Sequence, residues 1–184
     1  IMILRSFISL DIDIKNKENI QKIQNLLKTK IDKPFLARFE NPMNFHLTLF
    51  FIGEINERIL PEIYNKLRLV LENNFGELNF NSSEINAFPD LKNPRVLFLE
   101  CINTETKIFD LAYVIKDAMK DFGFTSDKNF HPHITLARVK GGVKLKDLSG
   151  IKPGINFSVT KVSIMQSRIT TKGAEHIEMF SINL

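Results

Sequence analysis

The sequence predicts an α+β chain of two similar lobes, each a mainly antiparallel sheet backed by helices. Three observations lead there. Short β-rich runs alternate with segments of helical periodicity, and several connections are of hairpin length. One four-residue pattern occurs twice, as His46-Leu47-Thr48-Leu49 and as His133-Ile134-Thr135-Leu136. The strand and helix rhythm around the first copy recurs around the second. No stretch rich in Gly, Pro or Ser separates the halves, so residues 1–184 read as one two-lobed domain.

Each element has its own local reason. Residues 3–13 alternate, with Leu4, Ser6, Ile8, Leu10 and Ile12 on one face of a strand. Asn16 is placed to cap a helix whose apolar positions are Ile20, Ile23 and Leu27. Pro34 opens an extended piece through Phe39, and the first His-Thr strand follows, ending at Gly53. Asn56 caps a second helix carrying Leu60, Ile63, Leu67, Val70 and Leu71, with Pro61 in its tolerant first turn and Gly76 at its end. Residues 77–88 form a strand, and Pro89-Asp90 starts a turn.

The second half repeats this order. Residues 95–102 form a strand, and Thr104 caps a helix with Ile108, Leu111, Ala112, Ile115, Met119 and Phe122 inside and Gly123 just beyond it. The second His-Thr strand comes next. The lysine-rich segment from Gly141 to Gly154 reads as a mobile loop with at most one helical turn. One strand at 155–169 and another at 175–184 flank a turn at Lys172-Gly173.

Composition excludes several classes. With 43% hydrophobic and 25% charged residues the chain is an ordinary globular one. Its apolar runs fall far short of the roughly 20 residues of a membrane span, and no secretory signal is read ahead of the first strand. The single cysteine, Cys101, closes the apolar run Val96-Leu97-Phe98-Leu99 and reads as a small buried hydrophobe. One cysteine makes no internal disulfide, which suits the cytoplasm. A net charge of +4 points to an anionic partner, although no aromatic and basic cluster of RRM type is present. There is no Walker-type glycine loop, GxGxxG or GxSxG.

The repeated pattern carries the chemistry. Residues two apart on a strand share a face, so each copy offers an imidazole beside a hydroxyl. A single His-x-Thr on a strand is usually a hydrogen-bonded structural histidine, but two copies in equivalent settings offer one general acid and one general base. Histidine suits both tasks because its ordinary pKa lies near neutrality. The hydroxyls of Thr48 and Thr135 suit non-bridging phosphate oxygens. Arg138, three residues beyond Thr135, is suited to phosphate but would face away on a straight strand, so a bend must redirect it. His131 and His133 share a strand face and could be two metal ligands, but no third ligand pattern accompanies them and Pro132 is awkward in a central strand. No metal is therefore expected, and His131 receives no role. His176, among Glu175 and Glu178, reads as a surface or pairing residue.

These residues resemble the 2H phosphoesterase superfamily, named for two His-x-Thr motifs. Within it the chain is similar to the RNA 2′,3′-cyclic phosphodiesterases once called 2′-5′ RNA ligases. The similarity runs through residues 4–11, 44–54, Ala87-Phe88-Pro89 with Pro94-Arg95-Val96-Leu97, 130–138, Ile164-Met165-Gln166-Ser167-Arg168 and Lys172-Gly173-Ala174. It implies pseudo-symmetric lobes with the histidines facing each other across a central active-site cleft. It implies a cofactor-free, metal-independent hydrolase that opens 2′,3′-cyclic phosphate ends of RNA to 2′-phosphates; the sequence does not name the RNA, and a tRNA fragment is one candidate partner. A monomer is expected. His46 is implied as the proton donor to the 3′-oxygen and His133 as the acceptor from water, with Thr48 and Thr135 holding the phosphate and Arg138 assisting. Phe51 matches an aromatic position expected to stack on the terminal base. ATP-independent 2′-5′ ligation would be the same step reversed. Two alternatives stand beside this: a phosphodiesterase acting on small cyclic nucleotides, and an RNA-end binder without turnover.

Overall fold

Antiparallel pairing of alternating strands organises the fold. The computed structural model describes residues 2–171 and 173–184; Lys172, which the sequence reading put in the last turn, lies outside the described residues. In chain order the elements are β1 (Ile3–Asp11), α1 (Ile14–Lys28), β2 (Ala37–Phe39), β3 (His46–Asn56), α2 (Leu60–Leu71), β4 (Leu78–Phe88), β5 (Val96–Asn103), α3 (Lys107–Lys120), β6 (His133–Val139), β7 (Asn156–Val159), β8 (Lys161–Thr170) and β9 (Gly173–Asn183). Among the described residues these strands form one sheet in the order β7-β4-β5-β6-β3-β1-β8-β9, with β2 also on β6. The fold is the α+β, antiparallel class the sequence predicts.

The two lobes are two ends of that sheet. One holds β1, β3, β8 and β9; the other holds β4 to β7 with β2. Among the described residues their strands pair with each other at one place, Leu47 with Ile134, the residues that follow the two motif histidines. Both side chains are fully buried. Burial of such a side chain is worth about 1.5–3 kcal/mol, so the seam is an apolar anchor.

Four differences from the sequence reading have clear causes. The cap of α1 is Asp13, whose carboxylate accepts from the Asn16 amide at 2.9 Å, so the helix starts before the expected Asn16. At α3 Thr104 does not cap; Thr106 holds the N-terminal position with φ +58 and no side-chain cap, and Asn103 Oδ1 accepts from Ile108 N at 3.3 Å. The expected strand at 155–169 is two strands, because β7 pairs with β4 in one lobe and β8 with β1 in the other. The chain changes lobes at Thr160. The segment expected as a loose loop carries no helix and is tied to the end of α1: Lys144 N donates to Asp32 Oδ1 at 2.8 Å, and Lys146 N to the Lys30 carbonyl at 2.8 Å.

Among the described residues no helix is long and apolar enough to cross a membrane. Cys101 is buried, and burial pushes its thiol pKa up, which makes it unreactive.

The helices interlock the lobes. α2 packs on α3 and β9, and α3 packs on β3. α1 carries Gln24, buried to 1% exposure, whose Nε2 donates to the carbonyls of Glu40 at 2.8 Å and Leu136 at 2.9 Å. The Leu136 carbonyl also accepts from Glu40 N at 2.9 Å, so one amide ties α1 to β6 and to the chain entering β3. Gln24→Met removes the donor to the Glu40 carbonyl while keeping the side-chain length. Urea unfolding should show a loss of about 1–3 kcal/mol; a loss under about 0.5 kcal/mol would mean that water replaces the amide without cost.

Candidate active site

Strand β3 presents the first motif. His46 and Thr48 point away from the core because Leu47 and Leu49 point into it. His46 Nδ1 lies 2.6 Å from the Asn44 carbonyl. A carbonyl only accepts, so Nδ1 carries the proton and Nε2 is the nitrogen left to face the open side. Thr48 Oγ1 is 2.9 Å from that Nε2. The hydroxyl donates to a neutral ring and accepts from a protonated one.

Strand β6 repeats the device. His133 Nδ1 lies 2.6 Å from the His131 carbonyl, so Nε2 is again the free nitrogen. His131 thus serves this site through its backbone. Its own ring approaches Glu100 Oε1 at 3.2 Å and packs against Phe88 and Phe98. In each motif the carbonyl two residues before the histidine fixes its tautomer.

The seam relates the two motifs. Leu47 and Ile134 are antiparallel partners. Continuing that register by one residue sets His46 beside Thr135 and Thr48 beside His133. The arrangement has local twofold symmetry, and all four side chains project on the face opposite the core. On a regular ladder diagonal neighbours such as the two histidines stand about 7–8 Å apart, room for one phosphoryl group between two imidazoles.

A pair of bulges extends the match. In β3, Thr48 pairs with Ser9 and Phe50 with Ile8, leaving Leu49 unopposed. In β6, Thr135 pairs with Phe98 and Ala137 with Leu97, leaving Leu136 unopposed. An extra residue reverses the alternation of faces beyond it. Phe51 and Arg138, each three residues past a motif threonine, therefore rejoin the histidine face. This is the redirection that a straight strand denies Arg138. The partners on β1 and β5 are equivalent too: Asp11 lies opposite His46, and Glu100 lies opposite His133.

The surroundings of the two imidazoles differ. Burial pushes His46 down to about 4, opposed by its bond to Asn44 and by the Asp11 carboxylate, and aided by His176 and Lys17. Asp11 is held by Lys17, whose Nζ lies 2.7 Å from Oδ1. Burial also lowers His133; its bond to the His131 carbonyl opposes this, while His131 and Arg138 add to it. Phe88 and Phe98 flank His133 with ring centroids at 5.2 and 5.1 Å.

Sequence reasoning missed His176. It is half-buried, and beyond its strand pairing its ring stands 5.1 Å edge-on to His46 and 4.9 Å from Phe7. Pairing of Ser167 with His176 in the last hairpin sets it there, and that register is not readable from local pattern. Asn44 links the same hairpin to His46, since its Nδ2 donates to the Ala174 carbonyl at 2.7 Å. A cavity of about 180 Å³ lies beside His46, lined among others by Ser9, Lys17, His176 and Glu178. A larger hollow of about 480 Å³ lies away from the motifs, against Asp13, Asn79, Asn81 and Asn156, and holds no histidine. Among the described residues no group of three or more His, Cys, Asp or Glu is placed to hold a metal ion.

The chain is similar to known proteins in both sequence and fold. The family model described as LigT-like phosphoesterase matches residues 12–98 and 102–174. A protein of Methanothermobacter thermautotrophicus named RNA 2′,3′-cyclic phosphodiesterase is 29% identical over 97% of both chains. One of the same name from Archaeoglobus fulgidus is 31% identical over 74% of this chain and 73% of its own. Among solved structures, a Thermus thermophilus protein superposes with a TM-score of 0.78 at 23% identity, over 98% of both chains. E. coli LigT complexed with 3′-AMP gives 0.79 at 20% identity, over 100% of this chain and 99% of its own.

The depressed histidines make stability depend on pH with a defined sign. His46 is near 4 when folded against an ordinary 6.5, so the unfolded chain binds more protons between those values. Its stabilising contribution is complete above about pH 6.5 and is lost as pH falls towards 4. His133 and His176 are shifted the same way. Urea midpoints measured at pH 7 and pH 5 should therefore fall further in the wild type than in His46→Asn. Equal falls would show that His46 is not held neutral by burial.

Proposed function

The chain belongs to the LigT-like phosphoesterase family, and on that footing we propose that it hydrolyses 2′,3′-cyclic phosphate ends of RNA to 2′-phosphomonoesters by two-histidine acid–base catalysis. The observation that carries this reading is the twofold pair of His-x-Thr motifs, each with Nδ1 tied to a backbone carbonyl and Nε2 turned to the open face. Relatives similar over nearly the whole chain are named RNA 2′,3′-cyclic phosphodiesterase.

The step divides between the two rings. Neutral His133 takes a proton from water as its oxygen bonds to phosphorus. Protonated His46 gives a proton to the 3′-oxygen as the bond from phosphorus to that oxygen breaks. The hydroxyls of Thr48 and Thr135 donate to the non-bridging oxygens where charge accumulates. Charges act differently on the two rings. His131 and Arg138 disfavour a charged His133, the form a base must avoid, whereas at His46 the Asp11 carboxylate favours charge against His176 and Lys17, which disfavour it. Burial alone leaves His46 neutral, so the substrate anion, acting where water is excluded, supplies the charge that protonates it.

Phe51, 65% exposed on the same face, offers a flat apolar surface to the terminal base. Only a 2′-oxygen can form the cyclic ester, so RNA rather than DNA is the substrate, with ends such as those of tRNA fragments within its scope. A 5′-hydroxyl in place of water would open the same cyclic ester, its oxygen bonding to phosphorus as the bond to the 3′-oxygen breaks, and make a 2′-5′ linkage without ATP. One chain carries both histidines, so a monomer suffices. The lone buried cysteine fits a reducing cytoplasm.

Protein treated with EDTA and given a short RNA ending in a 2′,3′-cyclic phosphate should turn it over. His46→Ala and His133→Ala should each lower kcat by about 10² or more. Wild-type turnover by both variants would end the acid–base reading.

A further inference from the structure

The histidine face of β6 continues past the reacting centre to a pair of arginines. On β5, Glu100, Phe98 and Val96 alternate without a bulge and pair in turn with His133, Thr135 and Arg138. Arg138 therefore stands on the motif face, about 7 Å beyond Thr135 at the strand rise of about 3.3 Å per residue. Its partner on the other side is Arg38 of β2. Directly paired residues project to the same face, and both arginines are exposed. Neither guanidinium makes a hydrogen bond or ion pair to another described residue. The carboxylate nearest in sequence to Arg38, Glu40, accepts from Asn44 Nδ2 at 3.2 Å.

Like charges directly opposite on neighbouring strands weaken the pairing. Here no protein carboxylate relieves them, and an anion held between them would. Two guanidinium forks suit the paired oxygens of a phosphodiester. The step from Thr135 to this pair matches the separation of neighbouring phosphates along a single strand.

We propose that Arg38 and Arg138 form a second phosphate subsite, which holds the internucleotide phosphodiester next to the reacting cyclic phosphate. It rests on the reading that the reacting phosphate lies at the two threonines. The subsite makes the enzyme prefer oligonucleotides to cyclic mononucleotides, which have no second phosphate, and Arg38 is the residue that sets this preference.

The test compares wild type with Arg38→Gln on a short RNA ending in a 2′,3′-cyclic phosphate and on a 2′,3′-cyclic mononucleotide. On the RNA, kcat/KM should fall about tenfold or more, as for loss of a charged hydrogen bond. The slope of its logarithm against log salt should become shallower by about 0.7, the value for one single-strand phosphate contact. On the mononucleotide kcat/KM should stay within about twofold, and Arg38→Lys should recover part of the loss on RNA. Equal losses on both substrates, or none on RNA, would overturn the proposal. A binding arm separates this from failure of the reaction itself. Wild type should bind an RNA with a terminal 2′-phosphate less tightly when the adjacent linkage is a neutral methylphosphonate, and Arg38→Gln should not distinguish the two. If both proteins distinguish them equally, the second phosphate is held elsewhere, even in a protein that shows no turnover.

Discussion

The antiparallel contact of Leu47 with Ile134 is the constraint on which the site depends. It is the only pairing between β3 and β6 among the described residues, and it joins the two lobes into one sheet. Because these two side chains point into the core, the residues on either side of each must point out of it. Two histidines and two threonines are thereby gathered on one face in twofold order. A shift of one residue in either strand at the seam would turn that strand's histidine and threonine into the apolar interior. The apolar letters of the repeated word thus position its polar letters.

The twin bulges at Leu49 and Leu136 add a third member to each half of the site. The backbone pattern is the same in both halves, but the side chains delivered are not. One half brings the aromatic ring of Phe51 beside Phe7; the other brings the cationic Arg138 beside Val96 and Arg38. The neighbours of the two imidazoles diverge in the same way, with Asp11, Lys17 and His176 around His46 and Phe88, Phe98 and Arg138 around His133. A symmetric scaffold with asymmetric dressing can give chemically equal groups opposite tasks.

Much of this was legible in the sequence, for identifiable reasons. Alternation gives the strands, helical spacing gives the buried faces of α1, α2 and α3, and the doubled motif gives the shared face of His46 with Thr48 and of His133 with Thr135. What was not legible depends on partners distant in the chain. A bulge is a relation between two strands, so neither Leu49 nor Leu136 announces one. His176 reaches His46 only through the register of the β8–β9 hairpin, and Arg38 reaches Arg138 only because a three-residue strand adds to the edge of β6. The break at Thr160 is invisible locally because both flanking segments alternate as strands should; what differs is the lobe that each joins. The caps failed differently. Asp13 and Asn16 are both good cap residues, and the choice between them is made by where β1 ends.

The central claim is that two imidazoles alike in tether do opposite work. The pH dependence of kcat on a cyclic-phosphate RNA, which reports the groups in the substrate complex, tests it most directly. The wild type should give a bell, with the acid limb set by the base that must be neutral and the alkaline limb by the acid that must be protonated. In the residual activity of His133→Ala the acid limb should vanish, and in that of His46→Ala the alkaline limb should vanish. Loss of the same limb in both variants, or an unchanged bell in either, would contradict the division of roles.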